Sequence, residues 1–585
     1  MGASRRSPGV AQLATDTRAR RLRGLDHPVA PATALPPISW HGPALLPGDA
    51  GGSETCVQAR CGLMEVNGRD AGVPRRLGLE VASVAAGILA AQAHMAADLA
   101  ADRGLPRPDL RTSVLQAGLV LLSHYFVVAT GLGDAVPGPP LAAPGPPFRS
   151  ADGRWFEIET LDAEPWQEFW ARLGAGDADL GRGWTVFRWR YERAACSLPP
   201  GLHEAVARYP LAELARVAAA AEVSLAPLRA YPDVVADPGP GAGRPLLYAG
   251  GGDPAPSPPG DGALPLTGIK VVEATSRIQG PFAGMLLRML GADVVRIQPP
   301  EGDYGRAARC LHRGKDAVRL DLGTAAGRAA LVELVMGADA FLHNWRPGKA
   351  AEWRLDFADL APRHRRLVYA NTSGWGDRPQ AGYLVGTDFL VQAHVGLGHA
   401  LHPEPAPPFP SRVVLSDLVG GLLGAEGVLA ALCRRQRAGG AWEVRSSLLA
   451  GAMALQAHVL EDLIDGKEVG RRGGRPVWGP LDRPLETTDG LLAVTVEDDE
   501  TFERLCRRCH VDPSAGARTT VERRVAEQLA AGTAAGWEDR LNGSGIAAAA
   551  VCTDLAEVAA DPRLSHLFEP VGIGGVAPKA PWTFA

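Results

Sequence analysis

Two carboxylates, Glu54 and Asp388, begin the same short sequence pattern, in which Val-Gln-Ala and Gly-Leu follow at identical offsets. An ionised carboxylate can act as a nucleophile toward an activated carbonyl carbon. A single aspartate beside an apolar segment more often caps a helix or a turn. Because the pattern occurs twice, the repetition singles out the carboxylate. The difference in side-chain length makes Asp388 the candidate for chemistry.

The repetition extends well beyond these two carboxylates. Further matching pairs follow in the same order: Ala-rich helical patterns at Leu79–Arg103 and Leu415–Arg437, apolar segments opening at Leu110 and Val444, Asp-Gly turns at Asp152 and Asp489, and Asp-Pro steps at Asp237 and Asp561. An Asp-Gly step between apolar runs is a strong signal for a β-hairpin. We therefore expect an internal repeat, with an incomplete copy over residues 46–240 (copy one) and a complete copy over residues 264–585 (copy two).

Copy two begins with a segment that copy one lacks, and this segment alternates predicted strands with predicted helices. The strands are Ile269–Glu273, Asp293–Ile297, Ala340–His343 and Arg366–Ala370, and the helices are Phe282–Leu290 and Gly327–Met336. The alternation is typical of an α/β protein with a doubly wound parallel sheet, whose ligands bind beyond the carboxyl ends of the strands. No GxGxxG sequence follows the first strand, so a nicotinamide or flavin dinucleotide has no support.

Two regions have no periodic pattern. Residues 1–45 are rich in Arg and Pro and lack the apolar run of a secretory signal, so we expect a disordered tail. Residues 241–263 are rich in Pro and Gly and are predicted to be an interdomain linker. The expected order along the chain is therefore tail, copy one, linker and copy two.

Composition restricts the classes of function. The chain has 585 residues, of which 21% are charged and 46% hydrophobic, as in an ordinary globular protein. Its formal net charge of -5 offers no basic field for nucleic acid. Eight cysteines in a chain this long do not suggest a disulfide framework, and no cluster has zinc-site spacing. The longest apolar run, Val81–Ala97, is too short and too polar for a bilayer. We expect a cytoplasmic protein with no metal and no nucleic-acid or membrane partner.

Several ordered motifs of copy two resemble a known family. They are Leu264–Val271, Gly291–Pro300, Arg313-Gly314-Lys315, Leu320-Asp321-Leu322 and Asn344–Gly348. Together they resemble the class III CoA-transferases of the CaiB/BaiF type over essentially all of residues 264–585. Copy one resembles the second half of the same family. The resemblance implies a Rossmann-like large domain with a small α+β domain, preceded here by an incomplete repeat of that fold. It also implies ring-shaped chains that interlock as a dimer, so we expect a homodimer or an internal pseudo-dimer.

The resemblance also assigns roles to residues. The family's catalytic aspartate falls on Asp388, within Gly386–Ala393. The positions that line its coenzyme A site fall on Ile278, Gln279, Leu320, Asp321, Asn344, Trp345, Arg346, Ser373, Gly374 and Trp375. Glycine-rich turns at Gly396, Gly398, Gly473 and Gly474 are candidates for a lid or for oxyanion-binding N–H groups. The substrates implied are an acyl-CoA thioester and a small organic acid, with no permanently bound cofactor.

This chain departs from the family pattern at several places. A glutamine common before Ala-Gly-Pro aligns with Ile278, and Gln279 stands one position later. Glu352 occupies a position where many relatives carry an arginine that meets the phosphates of coenzyme A, and Gln298 replaces a common glutamate. These differences bear on the binding of coenzyme A and on the identity of the acyl groups, and they leave the carboxylate of Asp388 unaffected.

Three functions remain open at this point. A CoA-transferase would use Asp388 to attack the thioester and form an anhydride and then an aspartyl-CoA thioester. A racemase of the same fold would exchange an α-proton, although relatives of that kind carry His where Thr387 stands. A non-catalytic acyl-CoA-binding protein is suggested by the incomplete copy one. There Glu54 is longer by one methylene, and a displacement of roughly 1 Å can cost about 100-fold in rate, so we expect copy one to be silent.

Overall fold

The computed structural model describes residues 11–25, 38–41, 51–131, 145–237, 246–249 (backbone only), 262, 264–302, 307–376, 385–404, 406–467, 470–572 and 574–584. Within these residues the largest sheet has seven strands. Their spatial order is Leu246–Ala249, Trp442–Ser447, Val368–Ser373, Ala340–His343, Lys270–Ala274, Asp293–Gln298 and Asp316–Arg319. The last six are parallel to one another. The predicted α/β class is confirmed, and the four predicted strands all lie in this sheet.

Helices cover both faces of the sheet. The helices of this domain are Gln279–Met289, Ala325–Met336, Lys349–Glu352, Phe357–Leu360, Asp388–His394, Leu397–Ala400, Leu415–Ala438 and Leu448–Ile464. The strands read as continuous apolar runs because parallel strands are buried on both faces. Val272 and Phe341, for example, pack with Leu331 of the helix Ala325–Met336 on one side. On the other side, Val271 and Leu342 belong to the principal core.

The edge strand Leu246–Ala249 corrects one expectation. These four residues lie within the segment predicted to be a linker, yet they pair antiparallel with residues 442–445 of the neighbouring strand. The physical reason is that Leu-Leu-Tyr-Ala is a short apolar run, and an unpaired sheet edge offers it backbone hydrogen bonds along one side. The chain between the copies therefore includes a structural strand.

Each copy contains a small domain built on a three-stranded antiparallel sheet. The sheet of copy one consists of Phe148–Arg149, Trp155–Glu159 and Ser224–Pro227, and that of copy two of Leu485–Glu486, Leu491–Val494 and Ala548–Ala550. Both predicted Asp-Gly hairpins are confirmed. The accompanying helices are Ala163–Arg172, Asp177–Phe187, Arg190–Arg193, Pro200–Val206, Leu211–Ala220 and Tyr231–Ala236 in copy one, and Asp499–Arg508, Arg518–Leu529, Ala534–Asn542 and Leu555–Ala560 in copy two.

The two copies share one hydrophobic core. Its centre is the contact between Val81–Asp102 of copy one and Leu415–Ala438 of copy two, where the Gln92 amide donates to the Leu422 carbonyl at 2.7 Å. Both helices are long and apolar enough to cross a membrane by length and composition, which corrects the expectation that the apolar run starting at Val81 is too short and too polar. Here 83% and 94% of their apolar windows are buried inside the protein. Copy one completes its helical layer with Glu54–Cys61, Leu63–Gly68, Val114–Leu121 and Ser123–Gly131.

The small domains are exchanged between the copies. The sheet of copy one packs against the helix Asp388–His394 of copy two, where the Arg229 N–H donates to the Ala393 carbonyl at 3.0 Å. The sheet of copy two packs against Glu54–Cys61 of copy one, where the Cys552 N–H donates to the Ala59 carbonyl at 2.9 Å. Each carboxylate-bearing helix is therefore covered by the small domain of the other copy.

The N-terminal region also differs from expectation. Residues 1–45 were predicted to be disordered, but Gln12–Gly24 is a helix packed on Val81–Asp102. Within the core the Arg21 guanidinium is paired with Glu426, whose side chain is fully buried, with Nε 3.0 Å from Oε1. The sequence shows many arginines here, and only the fold brings a buried carboxylate to one of them. Near the other end of the described residues, Thr583–Phe584 pairs antiparallel with Leu110–Arg111 of copy one.

Candidate active site

Asp388 is the first residue of the helix Asp388–His394, and its side chain is 0% exposed. Its Oδ1 accepts hydrogen bonds from the N–H groups of Ser416 at 2.6 Å and Asp417 at 3.1 Å. The amide of Gln392 donates to Oδ2 at 2.6 Å. The two N–H groups belong to the first turn of Leu415–Ala438, where N–H groups lack helical partners and the helix dipole favours an anion. The fold thus holds a carboxylate at the positive end of its longest helix.

Glu54 is held in the same way in copy one. Its carboxylate accepts from the N–H groups of Ala82 at 2.9 Å and Ser83 at 2.8 Å, and from the Gln58 amide at 3.0 Å. The donors lie 28, 29 and 4 residues after the carboxylate, and the same three separations occur at Asp388. The sequence repeat is therefore a repeat of the hydrogen-bonding pattern.

The glutamine of the repeated Val-Gln-Ala sequence has a structural role that the sequence analysis did not assign. The Gln392 amide donates to the carbonyls of Ser411 and Val413, and its oxygen accepts from the Ser411 N–H at 2.9 Å. Gln58 makes the corresponding contacts with Leu77 and Leu79. Each glutamine therefore fixes the loop before the long helix and orients the carboxylate. The recurrence of Gln at the same offset was the available signal.

A second acid distinguishes the two sites. Asp417 lies where copy one has Ser83, and both residues stand 29 positions after their carboxylate. Burial raises the pKa of Asp388 to about 7, and the hydrogen bonds from Gln392, Asp417 and Ser416 oppose that rise. The pKa of Asp417 is raised well above its usual range by burial and by Asp388, against the influence of Arg277. Near neutral pH the pair therefore favours a single negative charge.

Several residues predicted to line the coenzyme A site meet at the carboxyl ends of neighbouring strands. The side chain of Asn344 accepts from the Ser276 N–H at 3.0 Å and donates to the Ser276 carbonyl at 2.8 Å. The same loop contains Arg277, whose φ of 67° is unusual for a residue with a Cβ. It ends at Ile278 and Gln279, whose Nε2 is buried and has no hydrogen-bond partner among the described residues.

The sequence Ser373-Gly374-Trp375 contacts the backbone of the segment that precedes Asp388. The indole N–H of Trp375 donates to the Val385 carbonyl at 3.0 Å, three residues before the carboxylate. A Cβ added to Gly374 would lie only 2.5 Å from the Cα of Gly386, so the absence of a side chain permits the contact. This predicted group therefore positions the segment that leads into Asp388.

Other predicted residues lie farther along the sheet edge. Asp321 follows the edge strand Asp316–Arg319 next to Leu320, and its carboxylate accepts from the Gly323 N–H at 2.9 Å. Trp345 packs with aromatic neighbours, and its ring centroid lies 4.6 Å from His343 and 5.1 Å from Trp353.

The basic residues of this edge differ in exposure. Arg346 is exposed, whereas the Lys315 ammonium is fully buried and paired with Glu273 at 2.7 Å. Glu352, at the position where relatives carry arginine, pairs with Lys349 at 2.8 Å. Arg346 is therefore accessible from solvent and Lys315 is not, and contact of Arg346 with a coenzyme A phosphate stays a prediction.

The four candidate glycines lie away from the carboxylate. Gly396 follows the end of Asp388–His394, about 12 Å from its start at 1.5 Å per residue. A side chain at Gly396 or at Gly474 would meet the ring of Tyr231, and Gly398 lies beside Leu228. Gly473 shares the turn with Gly474, between Arg471–Arg472 and Arg475–Pro476. The oxyanion or lid role of these glycines stays a prediction, and the N–H groups at Asp388 itself are those of Ser416 and Asp417.

The described residues contain no group of three or more His, Cys, Asp or Glu side chains suited to a metal ion. The eight cysteines are free, and seven of them are buried. The polar groups around Asp388 are backbone N–H groups, amides, carboxyls and guanidinium groups. Such a set can hold anions and carbonyl compounds.

Comparison with known proteins identifies the family. The family model described as CoA-transferase family III matches residues 47–246 and 266–567, which together make up most of the chain. The protein belongs to CoA-transferase family III.

Individual relatives match a part of the chain. Acetyl-CoA:oxalate CoA-transferase of Acetobacter aceti is 30% identical over 257 residues, and succinate–glutarate CoA-transferase of Agrobacterium fabrum is 28% identical over 263 residues. Each match covers 41% of this chain and 66% of the relative, just under two thirds of its length. Among solved structures, a CaiB/BaiF family protein from Brucella suis is 25% identical, with a TM-score of 0.47 over 54% of this chain and 91% of that one.

Proposed function

We propose that this protein transfers coenzyme A from an acyl-CoA to a carboxylic acid, with Asp388 as the nucleophile. The observation that carries the proposal is the carboxylate of Asp388 held by the N–H groups of Ser416 and Asp417 at the start of a long helix. Family membership supports it, as do the relatives named as CoA-transferases for oxalate and for glutarate. The acids used by those relatives define a class, small carboxylic acids, for the acceptor.

The proposed chemistry conserves the activation of the thioester, which passes from the donor acid to Asp388 and then to the acceptor acid. The Asp388 carboxylate attacks the thioester carbonyl, the C–S bond breaks, and a mixed anhydride and CoA thiolate form. The thiolate attacks the aspartyl carbonyl, which releases the donor acid and leaves an aspartyl-CoA thioester. The acceptor carboxylate displaces the thiolate to give a second anhydride. Attack of the thiolate on the acceptor carbonyl of that anhydride yields the new acyl-CoA and regenerates Asp388.

The environment of Asp388 suits this role in two respects. Burial raises its pKa to about 7, which makes the carboxylate a stronger base and nucleophile than an exposed aspartate. The helix N–H groups and Gln392 stabilise the charged form, so a useful fraction is ionised near neutral pH. Because Asp388 is fully enclosed, the thioester reaches it after local opening of the surrounding contacts, a kind of step that limits turnover in many enzymes.

The remaining expectations belong to this proposal. The substrates are an acyl-CoA and a small organic acid, and no cofactor is bound permanently. One chain supplies both halves of the interlocked arrangement. The cytoplasmic location and the lack of nucleic-acid or membrane partners stay predictions.

The second candidate function is non-catalytic binding of acyl-CoA, which is favoured by the complete burial of Asp388. A racemase remains the third. It would use two acid–base groups, and Asp388 with Asp417 would be the pair. Exchange of the α-proton for deuterium without an acceptor acid would indicate the racemase. Acyl-CoA binding without any covalent adduct would indicate the binding protein.

The test is intact-protein mass spectrometry of the full chain mixed with a panel of acyl-CoA thioesters. A transferase gives a covalent CoA adduct that hydroxylamine removes, and peptide mapping places it on Asp388. Asp388→Asn should abolish the adduct, whereas Glu54→Gln in copy one should leave it unchanged. An adduct that persists in Asp388→Asn, or no adduct from any thioester that binds, would reject the proposal.

A further inference from the structure

Phe389, the residue next to the proposed nucleophile, is enclosed by side chains of copy one. The Tyr191 ring stacks on it, with centroids 4.8 Å apart and planes 28° apart. The Arg190 guanidinium lies 5.2 Å from the same ring and is paired with Glu159 at 2.8 Å. The Tyr191 hydroxyl donates to the other oxygen of Glu159. All three copy-one residues are at most 7% exposed, so solvent does not screen these contacts.

A second cation completes the enclosure of Phe389. The Arg412 guanidinium lies 4.9 Å from the ring and 3.6 Å from the Glu157 carboxylate of copy one. Asp70, also from copy one, lies 3.3 Å from Arg412. Cation–π contacts are stronger when they are desolvated than when they are exposed to solvent. The ring that follows Asp388 is therefore held in one orientation largely by residues of the N-terminal half.

The pseudo-symmetry of the chain provides an internal comparison. Each small domain docks through an equivalent backbone hydrogen bond, from Arg229 to Ala393 in one case and from Cys552 to Ala59 in the other. Aligning the two small domains on this hydrogen bond and on their strand registers places Glu157 and Glu159 of copy one at the positions of Ala493 and Thr495 of copy two. Thr55 stands where Phe389 is found, one position after Glu54. Here Thr495 makes a hydroxyl contact with Ser53 at 2.7 Å, in place of the charged pair.

The docking frame is thus common to both sites, and each site has a buried charged pair between the copies, which on the Glu54 side joins Arg60 to Glu538 at 2.9 Å. The aromatic ring stacked on the residue after the carboxylate, with the charged groups around it, is found where copy one meets Asp388. Copy one carries these side chains although it lacks the strand–helix segment that would serve its own carboxylate. A scaffold alone would not need an aromatic ring beside the carboxylate, and the Glu54 side docks without one, through Ala493, Thr495 and the pair of Arg60 with Glu538.

We propose that copy one is a built-in positioning unit for the nucleophile, in which Tyr191, Arg190 and Glu159 hold Phe389 and thereby fix the carboxylate of Asp388. Ser224 of the same small domain adds to this by accepting a hydrogen bond from the Val385 N–H at 3.2 Å, just before Asp388. The inference rests on the proposed function. Its consequence is one composite centre per chain, assembled from both copies.

The experiment measures the rate of the Asp388–CoA adduct in a single turnover of the full chain. Tyr191→Ala removes the stacked ring, and a shift of the carboxylate by about 1 Å should slow adduct formation about 100-fold. The KM for acyl-CoA should change less than twofold, because none of the positioning residues is assigned to coenzyme A. Tyr191→Phe keeps the ring on Phe389 and should restore the rate to within about 10-fold of the wild type. Thr495→Val, at the equivalent place on the Glu54 side, is the matched control and should retain the wild-type rate.

A double-mutant cycle separates positioning from general destabilisation. If Tyr191 acts through Phe389, the losses in Tyr191→Ala and Phe389→Leu should not add in the double variant, whereas independent effects would multiply. Circular dichroism and thermal melting show which variants are folded, and Tyr191→Phe provides the test should Tyr191→Ala fail to fold.

The outcomes distinguish the two proposals. A folded Tyr191→Ala that forms the adduct at the wild-type rate, or a fully multiplicative cycle, would overturn the positioning role alone. If Tyr191→Ala does not fold, a Tyr191→Phe variant slower than 10-fold would also overturn it. A wild-type chain that binds acyl-CoA and forms no adduct would remove both proposals.

Discussion

The backbone N–H of Asp417 donates to the carboxylate of Asp388 at 3.1 Å, while the carboxyl of Asp417 is itself buried beside the same helix end. One residue therefore both stabilises the charge of the nucleophile and adds a second acid to its surroundings. Two carboxyl groups that share a site do not both ionise readily, since each charge raises the pKa of the other. The equivalent residue in copy one, Ser83, can make the first contact and cannot contribute the second acid.

The first prediction concerns pH. Attack requires ionised Asp388, whose pKa burial raises to about 7, so the rate of adduct formation should rise with pH through about 7 and level off above it. Asp417 is uncharged while Asp388 titrates, because burial and Asp388 raise the pKa of Asp417 well above its usual range, so Asp417→Asn should leave the midpoint close to 7. Single-turnover release of CoA thiol measures both pH profiles, over a range of about two pH units on each side of that pKa. A midpoint near that of a free aspartate in the wild type, or a large fall of the midpoint in Asp417→Asn, would contradict the assignment.

The second prediction uses the length difference between the two carboxylates. Asp388→Glu adds one methylene and moves the attacking oxygen by roughly 1 Å, which should reduce the rate of adduct formation about 100-fold. The reciprocal change, Glu54→Asp in copy one, should leave the rate unchanged because that site lacks the strand–helix segment. Rapid-quench measurement of the rate of adduct formation in both variants tests this prediction. An equal loss in the two variants would show that the change acts through stability.

The third prediction concerns the contact between Gly374 and Gly386. Gly374→Ala would place a Cβ 2.5 Å from the Cα of Gly386, so the segment before Asp388 must shift. We expect the rate of adduct formation to fall at least about 10-fold, since small displacements of a nucleophile are costly. Gly181→Ala is the control, because Gly181 is an exposed position of the helix Asp177–Phe187 with no atom within 4 Å of the new Cβ, and it should keep full activity. Wild-type rates in a folded Gly374→Ala would refute the positioning role.

The fourth prediction concerns the N-terminal helix. Arg21→Met leaves the fully buried Glu426 without its partner and should lower the free energy of unfolding by about 3–5 kcal/mol. Arg21→Met with Glu426→Met removes both charges and should recover much of that loss. Arg20→Met breaks an exposed pair with Glu461 and should cost less than about 1 kcal/mol. Chemical denaturation of the four proteins tests the order, and equal losses for Arg20 and Arg21 would contradict it.

The sequence by itself determined the repeat, the parallel sheet and the candidate carboxylate. These features are written in local patterns. Offsets between Glu54 and Gln58 recur at Asp388 and Gln392, strands such as Ala340–His343 are short apolar runs, and Asp-Gly steps mark the hairpins. Each of these signals depends on neighbours within a few residues, so no knowledge of the folded chain was needed to read them.

Tertiary structure alone decided which copy serves which site. The deciding contacts join segments that are far apart in sequence. They are the packing of Tyr191 on Phe389, the ion pair of Arg21 with Glu426, and the hydrogen bond from Asp417 to Asp388. The strand Leu246–Ala249 likewise forms because the sheet presents an open edge to it. Such pairings depend on burial and on the charges that burial leaves to be neutralised, and these are properties of the assembled core.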